Sequence, residues 1–275
     1  MKSEESELPK TVNSKRKTAN SLKKTYFISD AHLGSRAIAN PIEQEKHLCR
    51  FLDEIKTQAE SIYMLGDLFD FWFEYKHVVP KGYTRLLGKL AELTDMGIAI
   101  HFFTGNHDIW CKDYLTKECG VIMHFQPEVV EIQGKTFFLA HGDGLGDDSK
   151  SFRFLRSIFH NKLCQWAFHW LHPDLGMPFG LNWAKHSRMK HEPTAENPLG
   201  EPPYMGENKE HLVLFAKEYL KKNPQIDYFI FGHRHIELDL MLTRQNRLLI
   251  LGDWVTQFTY AEFSEGQMTL DNYPL

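Results

Sequence analysis

A chain of 275 residues, 42% hydrophobic and 25% charged, is sized for one large domain or a domain with a substantial insertion. Its net charge of -4 excludes bulk electrostatic attraction to nucleic acid, so no nucleic-acid partner is expected. No apolar run approaches the roughly 18–20 residues of a membrane-spanning helix, no apolar signal segment opens the chain, and Cys49, Cys111, Cys119 and Cys164 form no C-x-x-C pair; a cytoplasmic protein with free thiols is expected, with peripheral contact to the inner membrane left open.

Residues 1–23 are polar and rich in Lys, Ser and Glu, the composition of a disordered tail, and the folded domain is expected over 24–275. From Thr25 short β-branched or aromatic runs end abruptly in Gly, Asp, Asn or His: Thr25–Ser29, Ser61–Leu65, Ile98–Thr104, Lys135–Ala140 and Asp227–Phe231. Helical patterns lie between the early runs. Ile42–Lys56 carries Leu48, Phe51, Leu52 and Ile55, and Tyr83–Asp95 carries Leu86, Leu87, Leu90 and Leu93 before a capping Gly97. The runs Glu237–Thr243, Arg247–Leu251, Gln257–Phe263 and Gln267–Leu270 read as a meander completing a second sheet. The rhythm predicts an α/β fold with a sheet-on-sheet core flanked by helices.

Residues 146–208 interrupt it and read as a helical cap insertion. Ser149–Leu171 predicts one amphipathic helix with Phe152, Leu155, Phe159, Leu163, Trp166 and Trp170 on one stripe, ended by His172-Pro173. Such a stripe serves equally as plain core or as an apolar groove. Met177–Trp183 is a second apolar segment, followed by Lys185, Arg188 and Lys190, and Glu192–Tyr204 reads as loop.

Five polar clusters follow the apolar runs: Asp30-Ala31-His32, Gly66-Asp67-Leu68-Phe69-Asp70, Gly105-Asn106-His107-Asp108, His141-Gly142-Asp143 and Gly232-His233-Arg234-His235. Ligands gather beyond the carboxyl ends of strands in α/β folds, so five strand ends can share one crevice. Asp30 and His32, and again His233 and His235, are two apart, which on an extended backbone aims both the same way. Asp67 has two oxygens with which to bridge two cations, and Asn106 offers a neutral one. Mixed imidazole and carboxylate donors suit Mn²⁺, Fe or Zn²⁺ better than an all-oxygen Mg²⁺ or Ca²⁺ site. Two such ions would clamp a phosphoryl group and ionise a water for in-line attack on phosphorus.

In this order the motifs resemble the calcineurin-like metallophosphoesterase superfamily. The resemblance implies its two-sheet αββα metallophosphoesterase sandwich. It also implies two divalent metal ions, one held by Asp30, His32, Asp67 and His235 and the other by Asp67, Asn106, His141 and His233. His107 then matches the histidine that contacts the scissile phosphate or protonates the leaving group, with Asp108 or Asp70 orienting it; Asn106, His107 and Asp108 form the expected catalytic set.

Within that superfamily Gly66–Trp72, His141-Gly142-Asp143-Gly144 through Asp147-Asp148 and Phe152-Arg153, and Gly252-Asp253-Trp254 resemble the UDP-2,3-diacylglucosamine diphosphatases of lipid A synthesis. The best-known of these carry Arg where His107 stands. The resemblance implies Mn²⁺-dependent hydrolysis of the pyrophosphate of an acylated nucleotide sugar, releasing UMP and acylated sugar 1-phosphate. Arg153, Lys185, Arg188 and Lys190 are the expected substrate-binding cations. The alternatives are a phosphodiesterase or nucleotide pyrophosphatase for a soluble substrate, and a scaffold with a dead site.

Overall fold

The computed structural model describes residues 23–146, 150–188 and 203–275. The expected tail apart from Lys23, and Lys190, Asp147 and Asp148, lie outside them. In chain order the elements begin β1 (Lys24–Ile28), α1 (Pro41–Ile55), β2 (Ala59–Leu65), α2 (Thr84–Asp95), β3 (Ala99–Phe103), α3 (Tyr114–Cys119), β4 (Ile122–His124), β5 (Glu128–Ile132) and β6 (Lys135–Ala140). They continue α4 (Lys150–His160), α5 (Lys162–His169), α6 (Pro173–Arg188), α7 (His211–Lys222), β7 (Tyr228–Phe231), β8 (Glu237–Met241), β9 (Arg247–Leu251), β10 (Thr259–Ser264) and β11 (Gln267–Asn272).

The strands form two sheets, ordered β11-β10-β1-β2-β3-β4 and β5-β6-β7-β9-β8. Alternation along each strand sets the layering. On β1, β2 and β3 the residues Tyr26, Ile28, Ile62, Met64, Ile100 and Phe102 face helices α1–α3. Their neighbours Phe27, Tyr63, Leu65 and Phe103 meet Phe137, Leu139, Ile230, Leu249 and Leu251 of the other sheet. The opposite parity on β6, β7 and β9, including Phe138, Phe229, Phe231 and Ile250, packs on α7. The order helix, sheet, sheet, helix is the expected αββα sandwich.

Two expectations are corrected. The C-terminal strands do not form one meander in a second sheet. β8 and β9 join the second sheet, while β10 pairs antiparallel with β1 (Thr25↔Phe263) and carries β11 to the edge of the first. The single helix expected over Ser149–Leu171 is two: Asn161 leaves the helical region (φ -71, ψ 118) and its side chain accepts from the amides of Leu163 and Cys164, capping α5.

Helices α4–α6 root on an aromatic platform that directly follows the second and third polar clusters. Phe71, Phe73 and Trp110 pack with Phe159, Phe168, Met177 and Leu181, and the Trp110 indole donates to the carbonyl of Phe159 at 2.8 Å. Gly180 lies so close to the Phe71 ring that a Cβ there would overlap it. Beyond this root the helices are bare: Leu163, Trp166, Trp170, Leu175 and Phe179 are exposed. Among the described side chains of the stripe, Phe159 is therefore core and Leu163, Trp166 and Trp170 are not; those of Phe152 and Leu155 lie outside the described residues.

Candidate active site

All five clusters stand at the carboxyl ends of strands: β1, β2 and β3, parallel neighbours in the first sheet, and β6 and β7, parallel neighbours in the second. Backbone hydrogen bonds zip the loops together. The amides of Asp30 and His32 donate to the carbonyls of Gly66 and Asp67, that of Trp254 to Asp30, and that of Gly232 to His141. Asp30 and His32 do not converge through an extended backbone, as their spacing suggested. Both are left-handed (φ 55 and 42), as are Asp67 (51), His233 (70) and His235 (49). Five non-glycine residues in this sparsely populated region mark a strained cluster held by its surroundings. Gly105 serves close approach: a Cβ there would strike Asp67.

Among the described residues the donors fall into three overlapping groups. Asp30, His32 and His235 bring ligand atoms within 4.8 Å of one another, as do His32, Asp67 and His107, and Asp67, His141 and His233. His32 Nε2 and His235 Nε2 are 3.0 Å apart, and His235 Nε2 is 3.2 Å from Asp30 Oδ1. His141 Nε2 lies 3.3 Å from Asp67 Oδ2 and 3.1 Å from Asn106 Oδ1. Its Nδ1 donates to the carbonyl of Leu65 at 2.8 Å, which fixes the tautomer and aims Nε2 at the cluster. Asp30 Oδ1 is buried without a hydrogen bond among the described residues, although imidazole nitrogens face it. An orphaned buried oxygen among converging nitrogens fits a cation of the Mn, Fe or Zn type.

Electrostatics agree. Burial alone would raise the carboxyl of Asp30, but the nearby imidazoles of His235 and His32 overcome it and hold the group ionised. Asp67 is likewise held below the usual carboxylate range against its burial, chiefly by His141 and His107. His141 is raised in turn: burial opposes its charge, and Asp67 outweighs burial. His233 is pushed down by burial and by His141.

Asp70 Oδ1 stands 3.4 Å from His32 Nδ1, and the Asp70 carbonyl accepts from His107 Nδ1 at 2.9 Å. His107 is therefore oriented by Asp70, with Nε2 4.0 Å from Asp67 Oδ2. Asp108 differs from its expected catalytic place. It is fully buried and accepts from the amides of Gly105, Leu68 and Phe69, tying the second cluster to the third. Burial and the charge of Asp67 push it up to about 7. Of the expected substrate cations, Lys185 and Arg188 lie on α6, but their side chains and that of Arg153 are outside the described residues, as is all of Lys190.

Two supports escaped the sequence reading. The Gln44 amide, in the first turn of α1, donates to the carbonyls of Ala31 and Trp254 and steadies the first loop; nothing local signals it. Arg234, between the two histidines, forms a buried bidentate pair with Glu210 at 3.0–3.2 Å. Its position among ligands was a signal, but that of its partner, just before α7, was not.

A family model described as Calcineurin-like phosphoesterase matches residues 23–237. A Porphyromonas gingivalis protein named UDP-2,3-diacylglucosamine hydrolase is 42% identical over 258 residues, covering 90% of this chain and 97% of its own. Like-named proteins of Pasteurella multocida and Histophilus somni are 27% and 29% identical, covering 90% and 88% of this chain and 96% and 97% of theirs. With the ligand-bearing strand ends gathered in one cleft and the match spanning most of the sequence, the chain belongs to the calcineurin-like phosphoesterase family.

Proposed function

We propose that the protein hydrolyses the pyrophosphate of UDP-2,3-diacylglucosamine to UMP and 2,3-diacylglucosamine 1-phosphate. The observation that carries this reading is the 42% identity to a relative of that name along 97% of its length. The exposed aromatic helices beside the cluster support it, since burial of acyl chains yields about 0.8 kcal/mol per CH₂.

Asp30, His32, Asp67 and His235 would hold one divalent ion, and Asp67, Asn106, His141 and His233 the other. Mn²⁺ is the favoured species. The ions would supply positive charge to the phosphoryl oxygens and make a water acidic enough to attack. The protein's own part is orientation. Leu65 and Asp70 hold the Nδ1–H groups of His141 and His107 and so turn each Nε2 toward the cluster; with both ring nitrogens protonated, His107 would donate from Nε2 a proton to the leaving oxygen or a hydrogen bond to the phosphate. The aromatic face of α5 and α6 suits acyl chains and contact with the membrane surface from which they come; among the described residues no helix is long and apolar enough to cross a membrane.

The test is UMP release from UDP-2,3-diacylglucosamine with Mn²⁺, set beside cleavage of bis-p-nitrophenyl phosphate. Release lost in Asn106→Ala supports site and substrate together. Cleavage of the diester alone favours a phosphodiesterase for a different substrate, and inactivity on both favours a scaffold.

A further inference from the structure

The ligand cluster has two unlike neighbours. One is α5 and α6 with their exposed Trp, Phe and Leu side chains. The other is a slot of about 190 Å³ beside His141. It is lined by Thr104 and Gly105 at the end of β3, by Phe125 and Gln126 in the β4–β5 turn, by Asp143, and by Arg156 of α4. None of the exposed apolar residues of α5 or α6 lines it.

The lining carries different chemistries. Phe125 is 51% exposed, an aromatic ring beside Gln126 in the chain rather than packed into a core. Arg156 donates through Nε to Asp143 Oδ2 at 3.2 Å, which anchors a cationic group in the same lining. An aromatic face, an amide that can donate and accept, and an anchored guanidinium are what a base and its phosphorylated ribose require. The size agrees, because pockets for whole drug-sized ligands run from about 300 to 1,000 Å³. At about 190 Å³ the slot is of a size for a planar ring system and small for a pair of acyl chains.

We propose that this slot is the subsite for the nucleoside half of the substrate, with Phe125 stacking on the base and Gln126 hydrogen-bonding its edge. The proposal rests on the nucleotide-sugar reading above. A pyrophosphate with acyl chains on one arm and a nucleoside on the other needs two surfaces of unlike character near the reacting phosphorus. The aromatic helices supply one and the slot the other. Phe125 and Gln126 are then specificity residues that leave the ligand cluster untouched.

The experiment uses full-length protein with Mn²⁺ and the variants Phe125→Ala and Gln126→Ala. Three quantities are read: KM for UDP-2,3-diacylglucosamine, cleavage of bis-p-nitrophenyl phosphate, which has no base, and inhibition of that cleavage by UMP. In Phe125→Ala, KM and the UMP inhibition constant should each rise about ten-fold, the loss of one base–aromatic stack, with diester cleavage unchanged. Gln126→Ala should narrow the preference for UMP over CMP as inhibitor. Unchanged KM and UMP inhibition in both variants, equal losses on both substrates, or no inhibition of the wild type by UMP would each overturn the subsite. Wild-type protein that is inhibited by UMP yet leaves the acylated nucleotide sugar intact would sink the substrate reading and keep the slot.

Discussion

Two regions of the molecule invert the usual placement of side chains, in opposite senses. At the strand ends Asp30, His32, Asp67, His141 and His235 are buried, none above 7% exposure, while on α5 and α6 Leu163 and Trp170 stand 70% and 73% exposed. Buried ionisable groups need compensation, and large contiguous apolar surfaces are rare on soluble monomers. Stability of the isolated chain favours neither arrangement. On the proposed reading each region would be completed by something the chain does not itself supply: positive charge in the first, apolar matter in the second.

The sharpest way to break this comparison is to remove Asp67, the carboxylate proposed to serve both ions. Asp67→Ala should lower turnover on any phosphodiester about 10³-fold, and metal analysis should find fewer than two ions bound. Retained activity would mean that the buried cluster is not the reacting centre. Next in size is Glu210→Ala, which leaves the Arg234 guanidinium buried without its carboxylate. A stability loss of about 3–5 kcal/mol is expected from denaturant titration, with activity falling as the loop bearing His233 and His235 loosens.

The exposed region should behave in the opposite way. Serine at Leu163, Trp166 and Trp170 together should leave the melting temperature and diester cleavage unchanged, while activity on the acylated substrate falls about ten-fold or more, the apolar contacts being worth about 25 cal/mol per Å². A fall in melting temperature would show that the stripe is core after all.

Smaller effects follow from charge. Because Asp67 raises His141, a cation must displace its proton. Metal affinity should therefore rise with pH up to the raised value, and calorimetry in buffers of different ionisation heat should detect proton release. The smallest effect lies away from the site. His101 stacks on Tyr63 at 4.3 Å, and its Nδ1 is hydrogen-bonded to Nε2 of His124, whose Nδ1 is 2.9 Å from Glu128. Burial, and then the charge of His124, depress it from 6.5 to about 4. As pH falls through that window the unfolded chain binds the proton first, so stability is present above about 6.5 and drains toward 4. With its partial exposure discounted, the loss is about 1–2 kcal/mol, and His101→Gln should flatten it in melts between pH 7 and 4.

The same contrast separates what the sequence makes legible from what it hides. The strand ends are plain because Gly, Asp, Asn and His cut off apolar runs, and turn chemistry is local. The two-sheet layering follows from alternation, as on β6, where Phe137 and Leu139 face one way and Phe138 and Ala140 the other. Which sheet takes the last strands is hidden, because the pairing of Thr25 with Phe263 leaves no local trace. The break at Asn161 was locally signalled by a good capping residue, yet the apolar periodicity runs straight across it. The left-handed ligand loops are opaque for a different reason. Asp and His in such conformations are imposed by the loops they meet, here the hydrogen bonds from Asp30 and His32 to Gly66 and Asp67.

The pairing of β1 with β10 also fixes an order of events during synthesis. Lys24 meets Glu262 across 238 positions, so the first strand to leave the ribosome waits for almost the whole chain before one edge is covered. At roughly 5–20 residues per second that wait is on the order of 10–50 s. His233 and His235 emerge near its end. A nascent chain can present Asp30, Asp67 and His141 long before it can close a full coordination shell around any ion, and metal loading belongs to the finished polypeptide.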